Sequence, residues 1–194
     1  FLELAAIAIV FAGLPLLYLW KKPGYSVFQK LNWVLVFMTF DLIVFGAFTR
    51  LTDSGLGCPD WPGCYGASNP FQALSEIKLA EDALPTGPVT VIKAWIEMIH
   101  RYLAMTVGAL ILIQVGMAFT KLKSLGKNPL LGSLGLLVLV CIQGAFGAWT
   151  VTLKLQPIIV TIHLMLALIL LAFLTGYAQH SCCLLYTSPS PRDS

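Results

Sequence analysis

Three ionisable side chains stand in the stretch WIEMIHR, residues 95–101, where the chain is becoming a continuous apolar run. Glu97, His100 and Arg101 are spaced i, i+3 and i+4, so on a helix they share one face. An imidazole there can ligate a metal. A carboxylate one turn above it can take or give a proton, and a guanidinium can neutralise charge beside both. A second imidazole, His163, stands in LQPIIVTIHLMLALIL. His100 lies seven residues past Lys93, and His163 lies nine past Lys154. At 1.5 Å per residue, His100 sits roughly 10 Å below Lys93 along a helix axis. If both helices enter a membrane from one side, the two rings reach a similar depth. Such a pair can sandwich a porphyrin, with the iron taking one nitrogen from each ring inside a helix bundle. Two other readings stand beside it: packing histidines with an interfacial Glu97–Arg101 ion pair, and proton transfer.

The elements that must position these residues are membrane helices. Hydrophobic residues make up 58% of the 194 and charged ones only 11%, against about 25% charged in a soluble domain. Apolar runs near 1–20, 31–50, 95–120, 130–153 and 157–179 approach the about 20 residues that cross a bilayer as a helix. The expected fold is an all-α integral membrane protein. Residues 31–179 form a four-helix transmembrane bundle, and 1–30 hold one extra membrane helix and a cytoplasmic linker. A signal peptide is the rival for 1–20, but no basic stretch precedes it and no A-x-A site follows. The last residues, 180–194, include SCCLLYTSPSPRDS. This Ser- and Pro-rich tail cannot bury a core; it reads as disordered and non-native, and it takes Cys182, Cys183 and His180 with it. No internal sequence repeat is evident.

Charge placement sets the sidedness. Lys21, Lys22 and Lys30 stand in one connection and Lys121, Lys123 and Lys127 in another, with no acid beside them. The segment 51–94 instead holds Asp53, Asp60, Glu76, Glu81 and Asp82 against Lys78 and Lys93. By the positive-inside rule 21–30 and 121–129 face the cytoplasm and 51–94 faces outside, so both histidine helices enter from the outer side. These lysines mark topology; there is no nucleic-acid signature. In the outer loop, GLGCPDWPGC carries Cys58 and Cys64. An oxidising compartment allows a structural disulfide or a redox-active pair, whereas zinc finds neither a histidine nor two further cysteines nearby. Arg50, closing the second apolar run, can snorkel outward or clamp a propionate. Asp41 lies mid-span and calls for a partner inside the bundle. Cys141, Gly144 and Gly147 read as small packing positions. Phe71, Leu74, Ile77 and Leu84 suggest a short amphipathic helix on the outer surface.

Taken together, FTRLTDSGLGCPDWPGC, IEMIHR, QGAFGAWTV and HLMLAL resemble, in order and separation, the haem A synthase family over roughly residues 31–179. The resemblance implies oxidation of haem O to haem A for cytochrome c oxidase assembly, in the bacterial cytoplasmic membrane with the 51–94 loop periplasmic. It implies that Glu97 is catalytic and that His100 and His163 ligate the haem iron. Arg50 and Arg101 would meet the haem, and Cys58 and Cys64 would pair. Haem O is then the substrate of this half, and a haem B cofactor belongs to a second, similar bundle outside this sequence; residues 1–194 by themselves are expected to be inactive. Partners implied are haem O synthase, cytochrome c oxidase assembly factors, membrane lipid and a second copy of the chain. The alternative is a cytochrome b-type electron-transfer protein that leaves its porphyrin unoxidised. A non-enzymatic assembly scaffold is a third reading.

Overall fold

The computed structural model describes Leu17, Lys21, residues 24–122 and residues 127–186, with side chains to residue 180. The expected helix over 1–20, apart from Leu17, lies outside the described residues, as do Lys22 and Lys123. Five helices follow in order: α1 (Val27–Leu51), α2 (Leu74–Ala83), α3 (Val91–Thr120), α4 (Lys127–Thr152) and α5 (Pro157–Tyr186). All but α2 are long and apolar enough to cross a membrane. The expected four-helix membrane bundle is the architecture found.

Local chemistry starts the helices where the topology needs them. Ser26 accepts from the Gln29 N–H while the Gln29 side chain accepts from the Ser26 N–H, a reciprocal capping box at the inner end of α1. Thr90 accepts from the Lys93 N–H at 3.2 Å and starts α3. Pro157 opens α5, where its missing N–H costs nothing. One expectation fails here: α5 does not give way after residue 179 but runs on to Tyr186. The apolar SCCLLY stretch can extend a helix; residues 187–194 lie outside the described ones.

The four long helices close into a ring. α1 packs on α3 and α5, α4 packs on the same two, and the diagonal pairs α1–α4 and α3–α5 bring no Cα atoms within 8 Å of each other. Short connections favour antiparallel neighbours, which gives this arrangement. The apolar core of the ring, with Leu35, Val107, Ile111, Leu136, Leu170 and Leu174 fully buried, fills its middle and inner part. A buried Gln114 side chain donates to the side chain of Asn32 there, fixing α3 against α1. A second cluster, built from Cys58, Cys64, Ala73, Ile77, Ala94 and Met98, packs the outer loop onto α3.

A short internal repeat, which the sequence reading did not find, emerges at the outer end. Residues 45–49 read FGAFT and residues 146–150 read FGAWT. Both helices end in one turn: Ser54 and Asp53 N–H donate to the Thr49 and Arg50 carbonyls, as Leu155 and Lys154 donate to Thr150 and Val151. Asp53 and Lys154 both take φ 51°. The match spans too few residues to show as a long-period repeat. It makes α1–α3 and α4–α5 two hairpins with like outer ends.

Of the residues expected to pack α2 down, Ile77 is buried while Phe71 and Leu84 are exposed. Phe71 instead meets the Trp95 ring edge-on at 4.6 Å. Cys141 is exposed rather than packed, and Asp41 is partly buried with no hydrogen bond or ion pair among the described residues.

Candidate functional site

His100 lies nine residues into α3 and His163 six residues into α5, both counted from the outer helix ends. Their helices are diagonal in the ring. Each imidazole lies against a glycine of the neighbouring helix. A Cβ on Gly46 would fall 3.0 Å from His100 Cε1, and one on Gly147 would fall 3.2 Å from His163 Cε1. Phe45 stacks over the His100 ring at 6.3 Å and 15°, and the Gln143 side chain donates to the His163 carbonyl at 3.0 Å.

The hydrogen bonding of the rings is incomplete. Nδ1 of both His100 and His163 is buried without a partner, and neither ring has any other hydrogen bond. Buried polar atoms in native proteins nearly always find a partner. On the side that faces the apolar core, the first core residues of the two helices, Val107 and Leu170, lie seven residues on, about 10 Å along an axis. Two unsatisfied imidazoles, backed by glycines above the level where the apolar core begins, fit a flat apolar ligand that takes one nitrogen from each side. Among the described residues no three His, Cys, Asp or Glu gather to hold a bare metal ion.

Glu97 and Arg101 flank His100 on α3 but face the outer loop. The Cys58 N–H donates to Glu97 Oε2 at 2.8 Å, and Arg101 Nη2 donates to Glu97 Oε1 at 2.6 Å. Arg101 Nη1 donates to the carbonyls of Pro62, at 3.3 Å, and Gly63. Both side chains are buried. They clasp the loop that Cys58 and Cys64 close as a disulfide, with Cα atoms 4.9 Å apart. Inside that loop, Asp60 accepts from the Tyr65 and Gly66 N–H groups at 2.6 and 2.7 Å. Gly57 approaches α3 so closely that a Cβ would meet the Lys93 carbonyl carbon at 2.5 Å. Backbone cannot yield there, so only glycine fits.

The sequence-derived candidates thus divide. His100 and His163 each lie against a glycine of the next helix; Glu97, Arg101, Cys58 and Cys64 form the clasp above α3. Arg50 stands apart, exposed at the outer end of α1. Missed in the sequence were Gly46 as a wall of the site and Gly57 and Asp60 as loop anchors. The FGAFT–FGAWT pair was the available signal for the first; nothing marked the other two. Gly147 does allow a close approach, but Gly144 has nothing within 4 Å.

A disulfide held by this clasp should resist labelling. With a thiol reagent, native non-reduced protein should leave Cys58 and Cys64 unmodified. Two freely reactive cysteines would show that the pair is open. Cross-linking so short a loop contributes at most about 2 kcal/mol.

Fold and site together define a multi-pass α-helical membrane protein with a histidine on each of two diagonal helices and a disulfide-closed loop. A family model described as cytochrome oxidase assembly protein matches residues 29–186, and the chain belongs to that family. It is similar to the haem A synthase of Shewanella oneidensis, 41% identical over 75% of this chain and 46% of that protein. The haem A synthase of Bartonella bacilliformis is 27% identical over 83% of this chain and 51% of that protein. That of Agrobacterium fabrum is 32% identical over 61% of this chain and 35% of that protein. The chain spans about half the length of the first two of these relatives, and the family match reaches the end of α5.

Proposed function

We propose that this chain is the substrate-binding half of a haem A synthase, with His100 and His163 holding haem O between diagonal helices. The observation that supports this most is the pair of imidazoles without a hydrogen bond, each ring backed by a glycine and each with Nε2 left open. The net reaction converts a porphyrin methyl to a formyl group: R–CH3 + H2O → R–CHO + 4 H+ + 4 e−. The four electrons would need an acceptor outside these residues, and by the family resemblance a haem B would supply that path. His100 and His163 orient the substrate and fix its depth. Glu97, one turn nearer the surface, receives protons released at the methyl, and the clasped loop keeps bulk water from the porphyrin edge. Arg50, exposed at the rim, meets a propionate. The lysine pattern supports a bacterial cytoplasmic membrane with the disulfide loop in the periplasm. Haem O synthase is the partner that supplies substrate, and cytochrome c oxidase assembly factors receive the product; self-association of the chain belongs to the same reading.

The same histidine pair would also serve a cytochrome b-type electron carrier, and pigment analysis separates the two. In a full-length protein carrying this segment, Glu97→Gln is expected to keep haem bound and to lower haem A output by roughly 100-fold or more. Extracted haems are separated by chromatography and read optically. Normal haem A output from Glu97→Gln would leave Glu97 as a loop clasp only. Absence of haem A from the parent would favour the electron carrier.

A further inference from the structure

We propose that Gly46 and Gly147 are paired positioning residues, placed by the FGAFT–FGAWT repeat, that set the reach and angle of the two haem-facing imidazoles. The proposal rests on the haem reading and concerns what aims the ligands rather than which they are. A Cβ on Gly46 would lie 3.0, 3.6 and 3.7 Å from Cε1, Nε2 and Nδ1 of His100. One on Gly147 would lie 3.2, 3.9 and 4.0 Å from the same atoms of His163. In both hairpins the glycine faces Cε1, with Nε2 and Nδ1 almost equally far behind it. Nδ1 is the buried nitrogen in each ring, whereas Nε2 is neither buried without a partner nor hydrogen-bonded. The glycines therefore back the Cε1 edge between the two nitrogens, of which Nε2 is the one open to a ligand.

An added methyl has to move that ring. The His100 ring is confined on one face by Phe45, so relief comes from tilting the imidazole or spreading α1 from α3. Ligating groups have to be held within about 0.5 Å of their working geometry, and a Cβ contact of 3.0 Å consumes much of that tolerance. Close approach is not a general property of the glycines in these helices. Gly144, three residues before Gly147 on the same helix, has nothing within 4 Å, and neither does Gly108 on α3.

The test titrates the purified chain in detergent with ferric haem B and reads optical and electron paramagnetic resonance spectra. The parent is expected to give a six-coordinate low-spin species. Gly46→Ala should weaken binding by roughly tenfold or more, as for other groups that orient metal ligands, and should convert part of the signal to high spin. Gly147→Ala should act in the same direction and less, and Gly144→Ala should match the parent. Helix content and protection of Cys58 and Cys64 from labelling report folding; if Gly46→Ala does not fold, Gly147→Ala alone carries the test. Parental affinity and spin state in the folded Gly46 and Gly147 variants would overturn the proposal while leaving the haem reading intact. A parent that takes no haem, or whose low-spin signal survives His100→Ala and His163→Ala, overturns both.

Discussion

Arg101→Ala should destabilise the protein by about 3–5 kcal/mol, the cost of stripping one partner from a buried ion pair. Arg101 and Glu97 are 8% and 3% exposed, so water cannot take over the lost contacts. The substitution leaves the Glu97 carboxylate with only the Cys58 N–H, and it orphans the Pro62 and Gly63 carbonyls at the same time. Lysine should rescue little, because a single ammonium cannot fork between a carboxylate and two carbonyls. The outer Lys93–Asp53 pair, 3.2 Å apart with Asp53 75% exposed, provides the contrast: Asp53→Asn should cost at most about 1 kcal/mol. Thermal unfolding in detergent measures both, and the rate of disulfide reduction by added thiol reports the loop directly. Equal stability of Arg101→Ala and Asp53→Asn would mean that the clasp does not hold the loop.

The fold was legible because lipid constrains sequence more tightly than water does. Runs of about 20 apolar residues, lysines on one side and acids on the other leave few arrangements open. His100 and His163 stood out in the sequence because ionisable groups are rare in such runs. What α3 does with Glu97 was only half legible. Spacing put Glu97 and Arg101 on one face with His100, but it could not tell that both turn to loop carbonyls and a loop N–H some 40 positions earlier in the chain. Gly46 escaped because a glycine in a membrane helix is unremarkable by itself. Its meaning lies in which ring it touches. The helix end expected at 179 was misplaced because composition beyond it was weighed over SCCLLY, which sustains α5 to Tyr186.

Removing either histidine should have the largest effect on the site. If both rings hold a haem, His100→Ala or His163→Ala would each remove one ligand, and haem affinity should fall by at least the roughly 10–100-fold that lesser changes around metal ligands cost. The residual complex should be five-coordinate and high spin. The two losses should be alike, since the rings stand on like hairpins and each lies against its own glycine. Neither substitution should disturb the outer clasp, whose bonds run from Glu97 and Arg101 to the loop, so the Cys58–Cys64 disulfide should stay protected in both.

The measurement closest to the central claim is the spin state and stoichiometry of ferric haem B bound to the purified chain and to these two variants. The expected result is one haem per chain, six-coordinate and low spin, with that species absent from His100→Ala and from His163→Ala alike. A low-spin spectrum that survives either substitution would show that the ring removed is not a ligand, and the shared haem between α3 and α5 would be contradicted.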